Sequence, residues 1–204
     1  MAAWPRTVVP ISNTDFDVPG PQIARAQSGK VNVRATTQRG RTWTETYMLK
    51  VSDEDAKAFL AYVRATWRAG TSFDIVHRDY LTPNGSAEGT PLVKGANQTG
   101  STIDVDGIAG TPGADWLLAG DIISFAGINC VYDVTADVTE AAGEATIPIS
   151  PPIYTGGSPA DDAAVTTTGV AVRAIIAEPP DWPDTSGDSA DWGTLTVRFV
   201  ETLE

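Results

Sequence analysis

The chain has 204 residues, a formal net charge of −12, 42% apolar residues and a single cysteine. It is long enough to bury one core or two smaller ones, and one cysteine excludes any disulfide within the chain. No apolar run approaches the roughly 20 residues of a membrane-spanning helix, and the N-terminus lacks the pattern of a signal peptide. We therefore expect a globular protein without a membrane partner.

The charge is divided unevenly along the sequence. Residues 1–80 carry 11 Lys or Arg and 8 Asp or Glu, whereas residues 81–204 carry 3 and 18. The net charge is therefore +3 before residue 81 and −15 after it. A uniformly acidic protein would merely gain solubility, but so sharp a division indicates two regions that face different surroundings.

The first region begins with a proline-rich stretch, residues 1–21, which lacks helical periodicity and predicts an extended arm. Strands are predicted at 24–37 and 41–49, with a turn between them. In the second strand, Trp43 and every second residue after it alternate with Thr or Met, and this pattern is typical of a strand with two distinct faces.

Basic residues without acidic neighbours fill the stretch from Pro19 to Thr44. They are Arg25, Lys30, Arg34, Arg39 and Arg41. A nucleic-acid contact is one interpretation of this pattern. The plainer alternatives are a solvated hairpin face and a contact with an acidic partner subunit.

One amphipathic helix is predicted after these strands. Ser52 can cap it, acidic residues occupy its first turn, and Gly70 ends it. Its apolar face consists of Ala56, Phe59, Leu60, Val63 and Trp67. A strand is predicted at 71–77, so the first region has the order β-β-α-β.

The second region is predicted to be all-β. Residues 82–100 are rich in Gly, Pro, Asn and Ser and are interpreted as a linker or long loop. A hairpin is predicted at 122–135. Further strands are predicted at 101–106, 145–150, 162–177 and 193–202. The acidic stretch 178–193 is interpreted as an exposed loop that carries Trp182 and Trp192.

Residues with reactive side chains form no convincing site in this sequence. The only histidine, His77, excludes a two-histidine zinc site, and Cys130 has the setting of a core residue. Asp104 and Asp106 share one strand face, and Asp181–Asp191 is acidic. Either group could touch a cation, but the rest of a calcium loop is missing. We therefore assign no catalytic, metal or cofactor residue and expect no enzyme.

A longer pattern centres on the predicted hairpin. Residues 118–127 read LAGDIISFAG, residues 131–137 read VYDVTAD, and residues 145–149 read ATIPI. This order resembles a segment of the distal tail, or minor tail, proteins of long-tailed, siphophage-like bacteriophages. The strands AAVTT and VAVRAII and the closing WGTLTVRFVETLE are similar to these proteins as well. The acidic loop has no counterpart in that pattern.

The resemblance implies a mainly β fold with one α-helix. Residues 1–81 with about 192–204 would form a tail-tube-like β-sandwich plus helix. Residues 82–191 would form a second, inserted or appended, small β-barrel or sandwich. The subunits, usually six, would form a ring around the tail channel in the virion tail tip, after assembly in the host cytoplasm.

The partners implied by the resemblance are further copies of the chain, the tail tube protein and the tail tip hub protein. DNA would only pass through the channel, and no cofactor is implied. The candidate residues for the subunit interface are Trp4, Pro5, Arg34, Arg39, Arg41, Trp182 and Trp192. Two other functions stay open: a carbohydrate-binding or receptor-binding accessory β protein, in which Trp182 and Trp192 stack on sugars, and a hydrolase built on the β region.

Overall fold

The structure is a computed structural model that describes residues 3–17, 22–25, 31–34, 40–50, 52–110, 113–183 and 192–202. In chain order its strands and α-helix are β1 (Ser12–Asp17), β2 (Gln22–Arg25), β3 (Val31–Arg34), β4 (Thr42–Lys50), α1 (Glu54–Ala69), β5 (Phe73–Val76), β6 (Gly89–Val93), β7 (Gly100–Ile108), β8 (Asp115–Leu117), β9 (Ile122–Phe125), β10 (Val131–Val134), β11 (Val138–Thr139), β12 (Ala145–Ile153), β13 (Val165–Thr166), β14 (Ala171–Ile176) and β15 (Trp192–Glu201). Short 3₁₀ helices lie at Arg78–Tyr80 and Thr155–Gly157. The expectation of a mainly β fold with one α-helix is confirmed for the described residues.

The chain folds into two compact units. The first consists of Met1–Ile75 with Arg173–Leu203, and the second consists of Val76–Val172. In the sequence, the second unit therefore lies between the two segments of the first. The second domain expected from the sequence, 82–191, includes β14, whereas in the structure β14 pairs with β15 in the sheet of the first unit.

The first unit is built on a five-stranded sheet with the order β1-β4-β15-β14-β5. Its centre is the long antiparallel pair of β4 and β15, which runs from Trp192↔Lys50 to Val200↔Thr42. Because side chains alternate along a strand, one face of this pair is buried and the other is open. The buried face carries Trp43, Glu45, Tyr47 and Leu49 from β4 and Leu195, Val197, Phe199 and Glu201 from β15.

Helix α1 supplies apolar side chains to the core of this unit. Phe59, Leu60 and Val63 are at most 4% exposed, as the helical spacing predicts, whereas Trp67 is half-buried. Ser52 was the wrong residue for the N-cap. Asp53 caps the helix instead, because its extended backbone lets its carboxylate accept the N–H of Asp55.

The N-terminal arm packs onto its own unit. Trp4 is 4% exposed, and its ring lies 4.7 Å from the ring of Phe73 and 5.0 Å from that of Phe199. The backbone N–H of Trp4 donates to the carbonyl of Asp74 at 2.8 Å, which places the arm beside the edge strand β5. The proline-rich stretch thus contains a core residue and strand β1, in addition to extended chain.

The second unit is a nearly closed, barrel-like sheet with the order β13-β9-β10-β12-β7-β6. Its two end strands approach each other through a bridge between Leu92 and Ala164. The Val93 N–H also donates to the Ala163 carbonyl at 2.9 Å. The short pair β8–β11 lies outside this sheet, and the core includes Trp116 and Ile123.

The structure confirms some of the strands predicted from the sequence and corrects others. The hairpin at 122–135 is confirmed, since β9 and β10 pair with Ser124 opposite Val131. The single strand predicted at 24–37 is wrong, because β2 and β3 form a hairpin there. The predicted linker at 82–100 is also wrong in part, because β6 within it is a barrel strand with a fully buried Val93. The strand predicted at 162–177 is two strands, β13 and β14, in different sheets.

Candidate functional site

The Gly-Asp step of the tail-protein-like pattern is a structural anchor in the second unit. Asp121 is 2% exposed. Its carboxylate accepts the backbone N–H of Leu118 at 2.8 Å and that of Asn84 at 2.7 Å. It also accepts the Asn84 side-chain amide at 3.0 Å and the Gly85 N–H at 3.2 Å. Charge-assisted hydrogen bonds of this kind are stronger than neutral ones, so this carboxylate fixes the loop before β6 to the loop before β9.

Glycine is required on both sides of this anchor. Gly120 has a φ of +95°, a backbone conformation that most side chains disfavour. A Cβ on Gly85 would lie 2.3 Å from the Trp116 carbonyl oxygen, so the loop reaches the barrel only without a side chain there. Gly120 belongs to the tail-protein-like pattern, whereas Gly85 lies outside it, in the stretch that the composition indicated as a linker.

A second polar cluster fixes the arm in the first unit. Arg6 forms two hydrogen bonds to the fully buried Glu45, at 2.9 and 3.2 Å. The Tyr47 hydroxyl also donates to Glu45, and it accepts the Trp4 indole N–H at 3.1 Å. Burial, followed by the nearby charge of Glu45, raises the pKa of Tyr47 well above its usual value of 10.0. These four side chains hold the arm against the sheet.

The candidate interface residues lie in different settings. Trp4 and Arg41 are covered within the chain itself, and the Arg41 guanidinium lies over the Phe16 ring at 5.1 Å. Pro5 is half-buried. Arg34 ends strand β3, and Arg39 lies outside the described residues.

The two candidate tryptophans are exposed, and their role in an interface stays a prediction. Trp182 is 37% exposed and its ring lies 5.1 Å from the Arg64 guanidinium carbon of α1. Trp192 is 60% exposed at the start of β15. Lys50 is its cross-strand partner, so the 49% exposed Met48 is a diagonal neighbour on the same open sheet face.

Charge is concentrated in the second unit. Residues 76–172 contain twelve acidic residues and two basic ones, Arg78 and Lys94, and therefore have a net charge of −10. By the same count, the rest of the chain has a net charge of −2. The boundary near residue 81 that the charge pattern indicates thus lies close to the start of the second unit at Val76.

An acidic patch surrounds Lys94 on the barrel. The Lys94 ammonium lies 2.5 Å from the Glu144 carboxylate, and this hydrogen bond, together with Asp106 and Asp104, raises the pKa of Lys94. Asp104 and Asp106 project from β7 on the face opposite the buried Ile103 and Val105, as the sequence predicts.

The acidic patch continues beyond strand β7. Asp161 accepts the Gly95 N–H at 2.7 Å, and Asp162 follows it in the exposed turn. We define the acidic patch as Asp104, Asp106, Glu144, Asp161 and Asp162. Asp104 and Glu144 of the patch, together with Lys94, line a surface depression of about 470 Å³.

The residues considered for catalysis or metal binding occupy structural positions. His77 is 2% exposed, and its Nδ1 accepts the Asp79 N–H at 3.3 Å at the start of a 3₁₀ helix. Cys130 is half-buried and packs against the barrel core, and its thiol donates to the Val131 carbonyl at 3.6 Å. Among the described residues, no group of three or more His, Cys, Asp or Glu side chains is placed to bind a metal ion.

No protein-family model matches the chain, and no curated protein matches it either. The described part of the chain contains no helix with the length and hydropathy that a bilayer crossing requires. Three features of the described chain are candidates for a functional surface: the exposed residues Met48 and Trp192, the acidic patch, and the strands β2 and β3, whose sequence is basic.

Proposed function

We propose that the chain is a structural component of a bacteriophage tail tip, a distal tail protein that forms a ring around the tail channel. In this role it joins the tail tube to the tip hub. Copies of the chain, the tail tube protein and the hub protein are its partners. The first unit corresponds to the tail-tube-like domain, and the barrel-like second unit is the inserted domain.

The observation that carries the proposal is the setting of the tail-protein-like pattern. Its Gly-Asp step and its strands are structural parts of one barrel, and the buried Asp121 accepts four hydrogen bonds from N–H groups of the neighbouring loops. A sequence pattern whose residues support the fold suits a protein whose function is to assemble with others. The first unit has one helix packed on a β-sheet, in keeping with the helix and the mainly β structure that the resemblance implies, in which the sheet would be part of a β-sandwich.

The charge of the second unit supports the same proposal. DNA binds surfaces that neutralise its phosphates, so a basic channel would retain it, whereas an acidic wall lets it pass. A unit with a net charge of −10 repels phosphate groups, so it suits a protein that DNA only passes better than a DNA-binding module. The nucleic-acid interpretation of the basic stretch is the less favoured alternative for the same reason.

Immunogold labelling of tailed particles that contain this chain tests the proposal. We expect gold only at the tail end distal to the capsid, and we expect rings in negative-stain images of isolated tail tips. Label along the tail shaft, on the capsid or on side fibres would contradict a distal tail protein. A pre-immune serum and particles lacking the chain are the controls.

Carbohydrate binding is a second candidate, which the exposure of Trp192 favours. An exposed indole on a sheet face can stack on the apolar face of a sugar ring, and Thr194 and Thr196 follow it on the same face of β15. A glycan array with the wild-type protein and the Trp192→Ala variant tests this candidate. Binding that disappears in the variant supports it, whereas an empty array or unchanged binding contradicts it.

A further inference from the structure

Asn84 and Gly85 form the only Asn-Gly step in the sequence. In such a step the backbone nitrogen of the glycine can attack the side-chain amide carbon of the asparagine, because glycine has no side chain to hinder the approach. The glycine nitrogen gives up its proton and bonds to Cγ, the Cγ–Nδ2 bond breaks, and ammonia leaves with that proton. Water then opens the cyclic imide to an aspartate or an isoaspartate.

Asp121 holds both of the nitrogen atoms that this reaction requires. Its Oδ2 accepts the N–H of Gly85, the attacking group, at 3.2 Å. Its Oδ1 accepts the Nδ2 of Asn84, the leaving group, at 3.0 Å, and the Asn84 backbone N–H at 2.7 Å. Because Asp121 is 2% exposed and these hydrogen bonds are charge-assisted, the carboxylate fixes both groups firmly.

The backbone of Gly85 is also held from its other side. It lies so close to the Trp116 carbonyl oxygen that a Cβ would be 2.3 Å away, and the Ala87 N–H donates to the same carbonyl at 2.9 Å. Closing the imide ring would draw the Gly85 nitrogen away from Asp121, and these contacts oppose that movement. Asn84 itself is exposed, so its protection comes from this fixed geometry and not from burial.

We propose that Asn84 is a deamidation site that the Asp121 anchor keeps closed in the folded second unit, and that opening of this loop leads to an irreversible modification. The product carries a carboxylate in place of the Nδ2 donor, beside the buried carboxylate of Asp121. Two carboxylates that share one site repel each other. An isoaspartate would also lengthen the main chain before Gly85. The anchor therefore does not re-form, and the modification records that the loop has opened.

Peptide mass spectrometry measures this modification directly. Trypsin releases residues 79–94 as one peptide, since Arg78 precedes it and Lys94 ends it. Replacement of the amide by a carboxyl group changes the mass of this peptide, and chromatography separates its aspartate and isoaspartate forms. The folded protein is incubated at mildly alkaline pH, and a synthetic peptide of residues 79–94 gives the rate without a fold.

Three variants separate the anchor from general stability. Asp121→Asn removes the charge that holds both nitrogen atoms. Asp137→Asn is the matched control, because Asp137 is exposed and accepts one backbone N–H. Ile147→Val trims a fully buried side chain in the core of the same unit, so it lowers stability without touching the loop. Circular dichroism establishes that each variant folds, and urea denaturation measures its stability.

We expect Asn84 of the wild type to deamidate at least about tenfold more slowly than the peptide, which corresponds to about 1.4 kcal/mol. The Asp121→Asn variant should deamidate at least about tenfold faster than the wild type. Asp137→Asn and Ile147→Val should keep the wild-type rate, because the loop opens locally. Asn84→Asp, which mimics one product, should be less stable than Asn84→Ala, which loses the amide without adding a charge.

Each of the contrary results rejects the proposal. A wild type that deamidates as fast as the peptide would show that the fold gives no protection. If Asp121→Asn deamidates more slowly, the carboxylate acts as the base that removes the Gly85 proton, and if its rate is unchanged, Asp121 has no part. Equal acceleration in Ile147→Val would assign the reaction to general unfolding. An Asn84→Asp variant as stable as Asn84→Ala would show that the anchor tolerates the product.

Discussion

The two units differ in the kinds of side chain that they expose. In the first unit, one sheet face is covered by α1 and the arm, and the opposite face is open. Five of the six large apolar side chains that are exposed in the described chain lie in this unit: Val9, Ile11, Met48, Trp182 and Trp192. The second unit curls its sheet towards closure and exposes acidic groups instead.

The two units therefore differ in how their sheet edges are protected and in which surfaces they can offer to partners. A sheet that nearly closes on itself loses its free edges, so its exterior can be polar throughout. An open sheet keeps edges and a free face, and exposed apolar groups there mark contact surfaces. The first unit therefore exposes apolar groups of the kind that mark contact surfaces, whereas the second exposes mainly charged groups.

The largest expected effect is in the aromatic core of the first unit. Phe199→Ala removes a fully buried ring and should lower the free energy of unfolding of that unit by about 3–5 kcal/mol. Trp192→Ala on the same strand is the matched control, and its effect should stay within about 0.5 kcal/mol. Urea denaturation of both variants measures the difference. Equal effects would show that the two faces of β15 do not differ as described.

The next largest effect concerns the apolar face of α1. It distinguishes a face buried in the core of its own unit from a face that meets another subunit. Leu60 is 4% exposed, so Leu60→Ala should cost about 2–5 kcal/mol of stability in the isolated protein. Ala58→Ser, on the exposed side of the helix, is the control. Thermal denaturation and sedimentation velocity on the same samples separate the two roles. A Leu60→Ala variant with an unchanged Tm and weaker self-association would mean that this face meets another subunit.

The corresponding test in the second unit concerns its polar anchor. Asp121→Asn keeps the shape of the side chain but loses its charge and part of its capacity to accept four hydrogen bonds, so it should cost about 1–3 kcal/mol. Asp137→Asn is the matched control, because Asp137 is exposed and accepts one backbone N–H, from Ala119. Denaturant titration compares them. An Asp121→Asn variant as stable as the control would contradict the role of the anchor.

The smallest effect is a pH dependence confined to the first unit. The pKa of Tyr47 is raised in the folded state, so its proton stabilises the fold below pH 10.0, the usual value, and this stabilisation is lost as the pH rises towards the folded-state pKa. The stability difference between the wild type and Tyr47→Phe should therefore shrink above pH 10.0, by up to about 1.4 kcal/mol per pH unit. Urea titrations on both sides of that pH test this, and a constant difference would contradict it.

Local sequence patterns were sufficient to predict the elements whose buried residues recur at one regular spacing, that of a strand or that of a helix. The alternation of β4, the spacing of Phe59, Leu60 and Val63, and the hairpin of β9 and β10 are confirmed because local spacing matches the buried face. The Gly/Pro-rich stretch at 82–100 conceals β6, whose partners are β7 and the chain near Ala163. The segment near Ala163 is distant in the sequence, and composition alone reveals neither this contact nor the pairing with β7.

The same limit applies to the candidate sites. Trp4 and Arg41 lie in segments that resemble an exposed arm and a basic face, but tertiary packing buries both. Asp121 belongs to a pattern that indicated a family, while its role as an acceptor of four hydrogen bonds depends on a loop 36 residues earlier. Its position directly after Gly120 was the only sequence signal, since Gly-Asp marks a turn.

The proposed function requires that copies of this chain form a closed ring at the tail tip. Electron cryo-microscopy of the tail tip, reconstructed in three dimensions without imposed symmetry, can show such a ring. We expect several copies, usually six, in one closed ring around the channel, with each copy contributing both units. One or two copies, or copies that do not encircle the channel, would contradict it.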